Sequence, residues 1–178
     1  AVGMNPRTIA AALQRNMTDS LGTGLNWVLN TVRTAQIKSY QTATHANYLA
    51  NSRIVPEWIW YADLGSDRTC MSCVAKHGSV HPVTEVMADH HSGRCAPIPK
   101  TISYKALGIN LPDPVGEIPS GQTWFDAQPE AVQRKLMGPG KHDAYKTGKF
   151  EFNQLSTPYV DDVYGEMFRE ATLKELVT

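Results

Sequence analysis

The sequence carries little charge and few cysteines, and each shortage excludes some classes of function. Lys and Arg number 17 and Asp and Glu number 17, so the formal net charge is zero, and 19% of residues are charged, below the roughly one quarter usual in soluble domains. This balance argues against a dedicated, strongly basic nucleic-acid binder. No uninterrupted apolar stretch approaches the roughly 18 residues that a membrane span needs, so no membrane partner is expected. The three cysteines cannot all pair internally, which favours a cytosolic chain over a secreted one.

Several signatures of catalysis and nucleotide binding are also missing. The sequence contains no H-E-x-x-H, no H-x-E paired with P-C-x-x-C, no G-x-x-x-x-G-K-[ST] and no G-x-G-x-x-G. The N-terminus, Ala1-Val2-Gly3-Met4, lacks the basic and apolar regions of a signal peptide. An apolar share of 42% is nevertheless enough for a real core, and 178 residues favour a single domain.

The neutral total hides an uneven distribution of charge along the chain. Residues 1–56 contain five basic residues and one acidic residue, whereas residues 159–178 contain two basic and five acidic residues. A basic beginning and an acidic end predict an assembly component that contacts different neighbours at its two ends.

Periodicity and turn residues predict an α+β fold with N-terminal helices, a small central sheet carrying a Cys/His knuckle, and C-terminal helices. We divide the chain into an N-terminal helical region over residues 1–55, a core with the Cys/His cluster and a Pro-rich loop over residues 56–125, and a C-terminal helical region over residues 126–178.

Individual elements follow from local signals. Asn5-Pro6 predicts a short helix to about Ser20, and Thr23 is suited to cap a second, longer helix that ends before Pro56. That helix has one predicted apolar face, formed by Leu25, Val28, Leu29, Val32, Ala35, Ala43 and Ala46. Strands are predicted over Glu57–Leu64, Val80–Val83 and Arg94–Ile98, an extended loop over 97–121, and helices from Pro129-Glu130 to Met137, near His142–Lys146 and near Gly165–Leu176.

The sharpest local feature is a cluster of cysteines and histidines. Cys70-x2-Cys73 presents two sulfurs from one turn, and Cys95 with either His90 or His91 follows about twenty residues later. Zn²⁺ in a structural site takes four such ligands, so the cluster predicts structural zinc held by Cys70, Cys73, Cys95 and one of the two histidines. A disulfide between two of the cysteines, or ordinary buried thiols, are the alternatives.

The order of motifs resembles the phage Mu F-like minor head protein family, the head morphogenesis proteins of tailed bacteriophages. The resemblance covers roughly residues 30–155. It rests on Arg33-Thr34, Arg53-Ile54-Val55-Pro56-Glu57-Trp58-Ile59-Trp60, Asp67-Arg68-Thr69-Cys70-x2-Cys73, His77-Gly78, His90, Gly93-Arg94-Cys95-Ala96-Pro97, Leu136-Met137-Gly138-Pro139-Gly140 and Tyr145-Lys146-x-Gly148-Lys149. Gly93 stands where the family has the first Cys of a Cys-Arg-Cys element, so a metal in this chain would need His90 or His91 in its place.

The resemblance implies a structural, non-enzymatic role in the virion. Such proteins enter the procapsid in few copies, associate with the portal vertex, and are expected to contact the portal protein or the major capsid protein and the packaged double-stranded DNA. The chain would then occupy the host cytoplasm during assembly and the capsid interior afterwards.

Two other classes of function remain as alternatives. One is an ADP-ribosyltransferase-like or zinc-dependent enzyme, such as a toxin or effector, for which Glu57, Glu85 and Arg94 are weak candidates. The other is a direct DNA binder that uses the knuckle and the basic first third of the chain. Its aromatics do not interleave with the basic residues as a stacking platform requires, and Trp58 and Trp60 are better suited to core packing.

Overall fold

The computed structural model describes Arg7, residues 24–113 and residues 116–178, with the side chains of 24–26 excepted. The helix predicted from Asn5 to about Ser20 and the cap predicted at Thr23 lie outside this part of the chain. The described residues combine helices with small antiparallel sheets, which confirms the predicted α+β class.

The elements follow one another along the chain as short units after one long helix. The helices are α1 Gly24–Ala50, α2 Met71–Lys76, α3 Gly121–Asp126, α4 Glu130–Met137, α5 Pro139–Lys146 and α6 Leu173–Val177, with a 3₁₀ turn over Phe152–Leu155. The strands are β1 Glu57–Tyr61, β2 Val80–Pro82, β3 Ala96–Lys100, β4 Ser156–Asp161 and β5 Gly165–Glu170. Within the described ranges, no helix is both long and apolar enough to cross a bilayer.

A three-stranded antiparallel sheet in the order β2-β1-β3 forms the centre of the first half. Side chains alternate between the two faces of a strand, so Trp58 and Trp60 of β1 lie on the same face. Both indoles are buried, at 1% and 2% exposure, and the ring of His81 on β2 stacks on Trp58 with 4.3 Å between ring centroids. The predicted use of these two tryptophans in core packing is confirmed.

Helix α2 joins two hydrophobic cores because its faces point into different ones. Cys73 packs with the sheet core, whose other buried members are Trp58, Trp60, Ala62, Met87 and Cys95. Met71 and Val74 belong to a second core, formed with Phe125, Met137, Ala144, Phe150, Phe152, Leu155, Ala171 and Leu176. The second core therefore combines residues from both sides of the boundary predicted after residue 125.

The long helix α1 is held on the sheet by polar side chains together with only part of the predicted apolar face, where Val28 is buried and Leu29 and Val32 are half-buried. Ala35, Ala43 and Ala46 of that face are exposed, whereas Thr34 and Gln41 are 2% and 3% exposed. Six side chains of α1, at three- and four-residue spacing, form hydrogen bonds to residues 83–97. Thr34 bonds to the amide of Ser92, and Gln41 bonds to the carbonyl of Cys95. The other four are Asn30, Lys38, His45 and Tyr48. We call these six residues the polar stripe.

The end of the chain differs from the helix predicted near Gly165–Leu176. Strands β4 and β5 pair as an antiparallel hairpin over the residues expected to begin the tail helix, and only α6 is helical there. The turn explains the difference, because the Asp161 carboxylate accepts hydrogen bonds from the amides of Val163 and Tyr164. Gly165 then adopts φ +73°, a backbone conformation that favours glycine and that starts the returning strand.

The hairpin also brings acidic residues back to the basic helix. Asp161 Oδ2 lies 2.8 Å from His91 Nε2. Burial lowers the pKa of Lys38 on α1, and the negative charges of Asp89 and Asp161 oppose that shift. Basic and acidic residues that are far apart in the sequence thus lie near one another in the folded chain.

We predict that Thr34→Val lowers the free energy of unfolding by about 1–3 kcal/mol, because the nearly isosteric change leaves the half-buried amide of Ser92 without its acceptor. Thr42→Val makes the same change at an exposed position of α1 and should stay within about 0.5 kcal/mol of the wild type. Urea denaturation of both variants measures the difference, and equal effects would show that the polar stripe does not hold the helix.

Candidate metal centre

Two cysteines and one histidine converge at the beginning of α2. Cys70 is the N-cap residue of this helix and Cys73 lies in its first turn, which places their sulfurs 3.5 Å apart. His90, from the segment before β3, directs its Nε2 atom to 3.3 Å from the Cys70 sulfur and 3.0 Å from the Cys73 sulfur. The Cys70-x2-Cys73 segment therefore forms the first turn of a helix rather than an isolated turn.

The orientation of His90 leaves one ring nitrogen for a metal. Its Nδ1 atom lies 2.9 Å from the main-chain carbonyl of His91, which can only accept a hydrogen bond. Nδ1 therefore carries a proton, and Nε2 is the nitrogen that faces the two sulfurs. This outer hydrogen bond is the arrangement by which proteins orient metal-ligating histidines.

Cys95 completes the group through its contact with Cys73. The Cys73 sulfur, the Cys95 sulfur and a carboxylate oxygen of Asp89 all lie within 4.8 Å of one another, and all three residues are buried. Since Cys73 also belongs to the group with Cys70 and His90, the two groups overlap. Together they offer three thiols, one imidazole and one carboxylate, and both groups could hold a metal ion.

Cys70, Cys73, His90 and Cys95 all line one small cavity of about 40 Å³, although the donor atom of Cys95 is grouped with those of Cys73 and Asp89 and not with those of Cys70 and His90. This volume exceeds the roughly 10–15 Å³ that a single water needs, so it suits one small ion rather than an organic substrate. Arg68 and Arg94 line the same cavity and bring positive charge to it. Arg94 is held in place by donating from Nη2 to the Ser66 hydroxyl at 3.1 Å.

The cluster also shifts the acidities of its own members. Hydrogen bonding from Cys73, and then from His90, lowers the pKa of the Cys70 thiol to about 4. The hydrogen bond with Cys70 raises the pKa of His90 to about 9 against the opposing effect of burial. The pKa of Cys73 is raised, because its hydrogen bonds with Cys70 and Cys95 and its burial disfavour a second thiolate. A divalent cation would relieve this crowding of sulfurs by replacing the protons.

His91, the other histidine proposed as a ligand, is directed elsewhere. Its Nε2 atom lies 2.8 Å from the Asp161 carboxylate, and its ring packs edge-on against Tyr164. The structure thus brings Cys70, Cys73, His90 and Cys95 to one place and puts His91 on the hairpin.

Asp89 is the member of the cluster that the sequence analysis missed. It is 1% exposed, and burial raises the pKa of its carboxyl while His90 and two main-chain amides oppose the shift. Its position directly before His90 is the only signal in the sequence, and an acidic residue beside a histidine is too common to have identified it.

The candidates considered for an enzyme lie at separate places. Glu57 pairs with Lys100 at 2.8 Å, Glu85 pairs with His81 at 2.8 Å, and Arg94 lines the metal cavity. His81 also contacts the Ser79 hydroxyl at 2.8 Å, which gives a Ser-His-Glu chain. The Ser79 hydroxyl lies 2.7 Å from the Lys76 carbonyl, so this chain ties the end of α2 to β2.

Comparison of the chain with protein-family models, with curated proteins and with solved structures finds no match.

The two histidines make a direct test of this geometry. We predict that His90→Asn weakens Co²⁺ and Zn²⁺ binding by more than the about 10- to 100-fold that loss of an outer hydrogen bond costs, because it removes a donor atom. His91→Asn should leave the affinity unchanged, since its ring faces Asp161. Metal titration by absorbance measures both, and a larger effect at His91 would contradict the assignment.

Proposed function

We propose that the protein is a structural, zinc-stabilised component of a tailed bacteriophage head, of the Mu F-like minor head type. The observation that supports this most strongly is that Cys70, Cys73, His90 and Cys95 line one cavity, as two overlapping groups of donors that share Cys73. These residues come from the motifs on which the resemblance rests, and they meet in one cavity despite the substitution at Gly93.

Zinc is the metal that suits this donor set. Three thiolates and one imidazole favour zinc among the common divalent ions, and four protein ligands fill its tetrahedral coordination. A filled coordination sphere supports folding rather than catalysis, because no position is left for water or substrate. Three thiolates also give the loaded centre an excess of negative charge, which Arg68 and Arg94 at the same cavity would offset.

The place of this centre in the fold explains what zinc would stabilise. The ligands come from the start of α2, which joins both hydrophobic cores, and from the segment to which the polar stripe of α1 is bonded. One ion would therefore fix the long helix, the sheet and the second core relative to one another.

An apolar groove supports the proposed docking role. It lies between the exposed side of α1 and the beginning of β3, has a volume of about 800 Å³, and is lined by Ala35, Gln36, Ile37, Ser39, Tyr40, Gln41, Ala43, Arg94, Cys95 and Ala96. Tyr40 is 68% exposed at its edge. In this proposal α1 and its groove contact the portal protein or the major capsid protein at the portal vertex, in few copies per virion, and the basic residues near α1 contact packaged DNA.

We predict that the purified protein contains one zinc ion per chain and that Cys70→Ser loses it, as measured by elemental analysis. Zinc that binds only the folded state should stabilise it by about 2.7 kcal/mol when free zinc exceeds the dissociation constant 100-fold. Thermal unfolding with and without a chelator measures this effect. Wild-type protein without metal, and with unchanged stability after zinc addition, would refute the zinc centre.

We also predict that the protein sediments with procapsids or portal rings encoded by the same phage genome, and that Ala43→Asp weakens this association at least tenfold by placing a charge in the groove. Ala46→Asp places the same charge one turn along α1, at an exposed residue that does not line the groove, and should bind as the wild type does. Sedimentation with neither particle would count against the head-protein proposal while leaving the zinc centre standing.

A further inference from the structure

The buried carboxylate of Asp89 bonds to the main chain of both ligands that come from the second segment. Oδ1 accepts a hydrogen bond from the amide of His90 at 2.8 Å, and Oδ2 accepts one from the amide of Cys95 at 3.2 Å. The side chain is 1% exposed, so water does not compete for these bonds. One carboxylate thereby sets the distance between two donor residues that are five positions apart in the sequence.

The segment between the two ligands is shaped around this carboxylate. A Cβ atom at Gly93 would lie 2.1 Å from Asp89 Oδ2 and 2.3 Å from its Cγ, well inside contact distance. The amide of Gly93 bonds to the carbonyl of His90 at 2.9 Å, which closes a tight turn over Asp89. Glycine at this position is what allows the carboxylate to reach both amides.

Asp89 could instead bind the ion itself, since one of its oxygens lies within 4.8 Å of the Cys73 and Cys95 sulfurs. Two features favour an outer role. Both carboxylate oxygens already accept main-chain hydrogen bonds, and Cys70, Cys73, His90 and Cys95 line a cavity whose lining residues do not include Asp89.

We propose that Asp89 is a positioning residue of the metal centre, which aligns His90 and Cys95 through their main-chain amides without binding the ion. The inference rests on the zinc centre proposed above. It assigns to this buried carboxylate the role that outer-shell groups have in metal sites, where their loss costs about 10- to 100-fold in metal affinity.

Asp89→Asn tests the proposal, because the amide keeps the size of the side chain but can present only one oxygen to the two main-chain amides. We expect zinc affinity, measured by competition with a chromophoric chelator, to fall about 10- to 100-fold. Asp162→Asn makes the same change at an exposed residue and should not alter the affinity. The absorption spectrum of the Co²⁺-loaded variant should match that of the wild type in band position and intensity, because the donor atoms are unchanged.

The outcomes separate this inference from the zinc centre itself. A wild-type protein that binds no zinc would refute the centre, whereas a zinc-binding wild type with an equally tight Asp89→Asn variant would refute only the positioning role. A changed Co²⁺ spectrum would show that Asp89 is a ligand and would also overturn the proposal. So would a variant that stays unfolded at saturating zinc, since the carboxylate would then be required by the fold as a whole.

A double-mutant cycle with Gly93 provides a second measurement. Gly93→Ala should weaken zinc binding in the wild type, because the added Cβ displaces the carboxylate. In an Asp89→Ala background the same substitution meets no carboxylate and should have little further effect. Additive losses would show that the two residues act independently and would contradict the proposal.

Discussion

The contact of the Cys73 sulfur with its neighbours is the interaction on which the rest of the structure depends. This sulfur lies beside the Cys70 sulfur and the His90 imidazole on one side and belongs to the group with Cys95 on the other. Its own helix, α2, contributes to both hydrophobic cores. Crowding three thiols and an imidazole in one place is unfavourable by itself, and a bound metal ion would turn the same crowding into a source of stability.

Much of the fold could be predicted from local signals. The α+β class, the long helix ending before Pro56 and the strand containing Trp58 and Trp60 all follow from periodicity and residue type. The β4–β5 hairpin was not predicted, because its strands are mostly polar and its turn depends on the Asp161 carboxylate binding two amides. The predicted apolar face of α1 holds at Val28 but is wrong at the exposed Ala43 and Ala46, since hydrophobic periodicity cannot detect where a helix is held by polar bonds to a loop.

The candidate site was predictable only in part. The spacing of Cys70, Cys73 and Cys95 identified three of its donors, because cysteines are rare in this chain and all lie within one segment. Sequence could not choose between His90 and His91, which are adjacent. That choice depends on the backbone of the segment after Asp89, and this segment takes its shape from contacts with a distant helix and with the hairpin.

The polar stripe of α1 has a consequence for the energetics of separating this helix from the sheet. A helix attached by hydrogen bonds at Thr34 and Gln41, with exposed alanines beside the buried Val28, uncovers less hydrocarbon when it separates from the sheet than a helix packed along a continuous apolar face would. Such a separation would have a smaller heat-capacity change and a weaker dependence on denaturant, both of which scale with newly exposed surface.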